Sequence, residues 1–94
     1  MKSKKWQLLY RKILKAKVRI HFFVMDKGVF GEQCGVDVYL SLMKNNPVAR
    51  NYIHEVLHYL YVDMSEKQVR YWEGVIWRNL TAKQRLVIYR RIFR

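Results

Sequence analysis

The 94-residue chain carries 19 lysines and arginines against seven aspartates and glutamates, a formal charge of +12, with 51% apolar and 15% aromatic residues. That content can build a thin but real core, and the length predicts one small domain over residues 1–94. No apolar run approaches the roughly 20 residues of a membrane span, Gln7, Arg11 and Lys12 interrupt any signal-peptide core, and a lone Cys34 excludes an internal disulfide framework and suits a reducing, cytoplasmic setting.

In chain order, residues 4–15 set Trp6, Leu9, Tyr10, Ile13 and Leu14 at the spacing of an amphipathic helix whose opposite face is basic. Residues 17–25 are β-branched and aromatic, with Val18, Ile20, Phe22 and Val24 on one face, and predict a strand. Residues 26–35 hold Gly28, Gly31 and Gly35, which predict a hairpin turn and a short strand around Val29 and Phe30. Residues 36–43 alternate again and give a further strand. Asn45, Asn46 and Pro47 open a helix, with an asparagine as N-cap and Pro47 in its first turn. Ser65 with Gln68, and Thr81 with Gln84, form two capping boxes, so further helices start at each. The order of one helix, two to three strands and three helices predicts an α+β fold with a small antiparallel sheet.

The helix after Pro47 carries His54-Glu55-Val56-Leu57-His58, an HExxH sequence. Two histidines four apart on a helix stand one above the other, and both imidazoles can reach one Zn²⁺. Glu55 then sits beside the ion, where it can take a proton from a bound water. With three histidines in the chain, a chance match has little to draw on. A helix face that merely happens to carry these residues is the bland reading.

A catalytic zinc usually takes three protein ligands and a water. A metzincin-type third histidine would fall at Met64, and His21 sits on a strand as an ordinary sheet residue. Glu73 is the favoured third ligand, because it falls within the apolar stripe of Val69, Trp72, Ile76 and Leu80 on the helix that follows. A carboxylate facing a core is costly unless paired or metal-bound, and a salt bridge to an arginine or lysine is the rival explanation. Asp63 and Glu66 are possible substitutes, but Asp63 lies in a turn and Glu66 in a first helical turn, where an acid usually serves the helix dipole. Cys34 reads as a buried structural thiol rather than as the thiolate ligand of a deformylase-like site.

HExxH on one helix with a glutamate on the next resembles the gluzincin metallopeptidases, and the small size and element order are similar to the minimal soluble scaffolds called minigluzincins. The resemblance covers the chain from its first helix to about Leu80, and HExxH is its specific part. It implies zinc on His54, His58 and Glu73, with Glu55 as general base and proton shuttle. It also implies that strand 36–43, through Val38, Tyr39, Leu40 and Ser41, is an edge strand that pairs with extended peptide or protein substrates. Larger gluzincins often carry an acid four residues after the glutamate ligand to orient a zinc histidine; that position here is Trp77.

The expected activity is therefore zinc-dependent hydrolysis of peptide bonds, with Tyr71, Arg70 and Tyr89 as oxyanion donors by residue type. The isolated chain is expected to be latent if the basic C-terminal helix covers the cleft. Exposed strand edges leave room for self-association. The runner-up reading is a small basic nucleic-acid-binding protein with a structural or fortuitous metal site, suggested by the charge and by Trp6, Tyr10, Tyr89 and Phe93 near the ends. No recognised nucleic-acid motif supports it. A metal-free interaction module ranks third.

Overall fold

The apolar spacing of the first helix is realised as α1 (Lys5–Lys15), which buries Leu9, Tyr10 and Ile13 against the rest of the chain. The computed structural model describes residues 4–23, 31–34, 37–41 and 47–93. Strands β1 (Arg19–Phe23), β2 (Gly31–Cys34) and β3 (Asp37–Ser41) follow, then α2 (Val48–Leu60), α3 (Glu66–Asn79) and α4 (Ala82–Ile92). The class is α+β, as expected. Gly28, Gly35, the strand around Val29 and Phe30, and the Asn45 and Asn46 cap lie outside the described residues, as does the side chain of Cys34.

The sheet is mixed rather than antiparallel. Its order is β1-β3-β2, with β3 parallel to β1 and antiparallel to β2. The antiparallel expectation assumes that successive strands are spatial neighbours. Here β2 takes the far side of β3, and because it runs opposite to β3, β1 is left pairing with a strand of its own direction. In that register Arg19 faces Asp37 and Ile20 faces Val38. Alternation then sends Val38 and Leu40 into the core with no exposed surface. On the other face Asp37 accepts from Arg19 at 2.8 and 3.2 Å and lies 3.0 Å from His21 Nε2.

Helix α2 is the hub. It packs against α1, α3, α4, β2 and β3, and its Ala49, Tyr52, Ile53, Val56 and Leu57 have no exposed surface. Pro47 takes the N-cap position itself, with φ −56° and ψ 140°, in place of an asparagine. Its carbonyl accepts from the Arg50 and Asn51 amides at 3.0 and 3.2 Å, and lacking an N–H it leaves no donor unsatisfied there.

Both capping boxes form. Ser65 Oγ accepts from the Gln68 amide at 3.2 Å while the Gln68 side chain accepts from Ser65 N at 2.9 Å, and Thr81 with Gln84 repeats the same distances. The last helix closes back on the first. Tyr10 donates to the Gln84 carbonyl at 3.3 Å, Arg91 donates to the Ala16 carbonyl at 2.5 Å, and Phe22 stacks on Phe93 with ring centroids 5.3 Å apart.

Candidate metal centre

Residues 61–65 are too few to form another element, so α3 turns back along α2 and brings its first turn against the last turn of α2. The pairs that cross the helices record this. Arg50 and His54 meet Glu73, and His54 and His58 meet Glu66. Of the seven acids in a chain of charge +12, three (Glu55, Glu66 and Glu73) thus gather at two histidines.

The two imidazoles stand with centroids 5.0 Å apart, as the i, i+4 spacing predicts. Between them and α3 lies the Glu66 carboxylate. One oxygen is 2.7 Å from His58 Nε2 and the other 3.2 Å from His54 Nε2. The metal-capable atoms of His54, His58 and Glu66 all fall within 4.8 Å of one another. Arg70 also donates to Glu66, at 3.0 Å, one turn along α3.

Glu73 occupies a different place from the one its position in the apolar stripe suggests. It is buried, as expected, but its carboxylate accepts from the opposite nitrogen of His54, Nδ1, at 2.6 Å and from the Arg50 guanidinium. Both explanations open to it from sequence, an arginine partner and a role at the histidines, therefore meet in one side chain. From sequence Glu66 ranks only as a substitute behind Glu73, because a first-turn acid ordinarily serves the helix dipole. The signal that finds it is the hairpin itself: a short link folds position 66 opposite position 58, eight residues away. Glu66 and Glu73 are seven apart, two helical turns, and so share a face of α3.

The remaining expectations distribute as follows. His21 stays on the sheet with Asp37. Asp63 is exposed in the interhelical turn, and Trp77 packs under the Arg85 guanidinium, 4.1 Å from its ring centroid. Tyr71 is exposed against Trp72, and among the described residues no side chain of α4, Tyr89 included, bonds to the site. Strand β3 has both edges paired and Val38 and Leu40 fully buried, so it is not an edge strand; Tyr39 lies within both ladders and Ser41 within the one to β1. Among the described residues the outer strands of the sheet are β1 and β2, and β2 packs beside α2.

Glu55 stands outside this hydrogen-bond network but close enough to feel the charges of both histidines. It is buried, and it makes no hydrogen bond or ion pair among the described residues. Burial pushes its carboxyl above the ordinary range, against the pull of His54 and His58. Burial would likewise raise Glu73 and Glu66. For Glu73 the bonds from His54 and Arg50 outweigh it, for Glu66 the bond to His58 and the charge of His54 do so, and both carboxyls end low. For His54 burial opposes the charged form, yet the Glu73 bond and the surrounding carboxylates leave it raised.

No protein-family model, curated protein or solved structure matches this chain. The donor chemistry can still be tested against a metal. With Nδ1–H donating to Glu73, a neutral His54 presents the Nε2 lone pair toward the Glu66 carboxylate, and two electron-rich groups at 3.2 Å need a cation between them. A proton or a metal ion can serve. Two ligands on one tetrahedral zinc stand about 3.3 Å apart, close to the Glu66 separations. An N, N, O set with a carboxylate behind one histidine fits zinc.

Proposed function

We propose that this chain is a zinc-dependent peptide hydrolase of gluzincin type, in which His54, His58 and Glu66 hold the ion, Glu73 orients His54 and Glu55 moves the proton. The observation that carries this reading is the convergence of three metal-capable side chains within 4.8 Å, two from the HExxH helix and one from α3, next to a buried glutamate with no hydrogen-bond partner among the described residues. Zinc in such a set supplies a Lewis acid and a water acidic enough to ionise near neutral pH. Glu55, raised by burial, is a carboxylate suited to take that water's proton and return it to the leaving amine. Glu73 fixes the His54 tautomer so that Nε2 faces the ion. His58 and Glu66 keep 27% and 50% of their side chains exposed, which leaves the face open to a polypeptide. An extended substrate would add to the free edge of β2 rather than to β3.

Zinc analysis of the purified protein and of His58→Ala, Glu66→Ala and Glu73→Ala tests the assignment. The expected result is a single zinc per chain, absent from the first two variants and retained more weakly in the third. Loss in Glu73→Ala with retention in Glu66→Ala would return Glu73 to the ligand set. A wild-type chain that takes up no zinc on reconstitution sinks the proposal. Cleavage of an unstructured protein by the zinc-loaded chain, abolished by chelation, is the corresponding test of activity.

A further inference from the structure

The HExxH stripe extends one turn toward the start of α2. Asn51, His54, Glu55 and His58 fall at i, i+3, i+4 and i+7 and so share one face of the helix. Ala49, Tyr52, Ile53, Val56 and Leu57 turn to the core instead, with no exposed surface. The metal chemistry uses the last three of the four polar residues and leaves Asn51 without a role.

Nothing in the packing explains that asparagine. Asparagine is a poor helix former, yet this one stands in the hub helix with only 7% of its surface exposed. Its backbone amide donates to the Pro47 carbonyl, but its side-chain Nδ2 is closed to solvent and has no acceptor among the described residues. Asn79, on α3, shows the usual remedy, donating to the Val75 carbonyl four residues back at 2.8 Å. For Asn51 the carbonyl four residues back is that of Pro47, already taken by the Arg50 and Asn51 amides. A buried donor left in this way is uncommon and costly.

Glu55 has the complementary lack. It is 8% exposed, and its carboxyl group makes no hydrogen bond among the described residues. Asn51 lies one helical turn before it, a spacing that sets Cβ atoms roughly 5–6 Å apart and lets amide and carboxylate side chains pair. Such a donor differs in kind from those of the neighbouring acids. Against the effect of burial, histidine and arginine donors hold Glu73 and Glu66 low. A neutral amide orients a carboxylate without bringing a full charge, so the group it holds stays more basic than one held by a cation.

We infer that Asn51 is a positioning residue for Glu55: the Glu55 carboxylate takes the Asn51 Nδ2–H bond on one oxygen and keeps the other free to receive a proton. The purpose of this bond rests on the metallopeptidase reading; the bond itself does not.

Side-chain amide NMR of the zinc-free protein at about pH 9, above the ordinary carboxylate range, reads the bond in wild type and in Glu55→Ala. One Nδ2 proton of Asn51 should lie downfield in wild type and return to an ordinary amide position in the variant. In the zinc-loaded protein, Asn51→Leu, close in volume but apolar, should keep its zinc and its KM while kcat falls about tenfold, the effect of one hydrogen bond to a charged group. Asn51→Gln, which keeps a neutral donor, should recover part of that loss, as a purely structural role would not predict. The same Asn51 amide signal with and without Glu55, an unchanged kcat in Asn51→Leu, or loss of zinc from that variant would each overturn the inference. A wild-type chain that holds no zinc ends the peptidase reading, and the amide comparison then decides the bond by itself.

Discussion

The two faces of α2 treat charge in opposite ways. Toward α3, acids are gathered and answered: Glu73 by His54 and Arg50, Glu66 by both histidines and Arg70, while Glu55 has no hydrogen bond or ion pair among the described residues. Toward β1 and α4, among the described residues, Lys17, Arg19 and Arg91 line a cavity and no acid does. One helix thus separates an acid-rich face from a cation-lined one across its own diameter of roughly 10 Å. A strongly basic composition does not determine local chemistry. In this chain three of the seven acids meet at one pair of histidines.

Glu55→Gln breaks that contrast at its most sensitive point. It should lower peptide turnover by roughly 10²-fold or more while leaving zinc content unchanged, measured as cleavage rate per bound zinc; undiminished turnover would remove Glu55 from the mechanism. Leu57→Ala attacks what both faces share. Leu57 has no exposed surface in the hub helix, so the variant should lose about 2–5 kcal/mol in denaturant unfolding, with the metal centre lost in the same transition.

Glu73→Gln separates the faces instead. An amide oxygen can still accept from His54 Nδ1, but the charge that answers Arg50 is gone. Zinc affinity should fall by about 10–100-fold in competition with a chromophoric chelator, with the Arg91–Ala16 and Tyr10–Gln84 contacts of the other face untouched. Gly74→Ala probes the helix beneath that network. A Cβ there would meet Arg78 Nη1 at 3.1 Å and Arg50 Nη2 at 3.7 Å. The first is the mobile end of an exposed side chain, so the gain in helix propensity, up to about 1 kcal/mol, should appear in the unfolding midpoint without loss of zinc.

The smallest effect belongs to the sheet. Bonds from His21 and Arg19, outweighing burial, hold Asp37 below its ordinary 3.8. Because the folded value is the lower one, its contribution is present above the ordinary value and disappears as pH falls through the depressed one. Asp37→Asn should therefore flatten the acid limb of a stability–pH curve and leave the neutral region nearly unchanged.

The helices were legible because their signals are local. The stripe of Leu9, Tyr10 and Ile13 and the two capping boxes depend on neighbours within a turn or two, and all three produced the expected elements. The sheet was legible only as strands. Its order depends on which edge of β3 the second strand occupies, a long-range choice that alternation does not encode. The metal centre lies between these cases. HExxH and a buried Glu73 follow from periodicity, whereas Glu66 becomes visible only once the α2–α3 turn is folded. A first-turn acid has an ordinary reason to exist, and that reason concealed its approach to His54 and His58.

The span of chain that closes each face also has a kinetic meaning. His58 and Glu66 are eight residues apart, whereas the Arg91–Ala16 contact beside the cavity joins positions 75 apart. The helical hairpin needs only a short loop to close before its donors meet, so it can assemble early and independently of the terminal helices. A metal captured at that stage would staple two helices while the rest of the chain is still searching, making the ion a participant in folding as well as in chemistry.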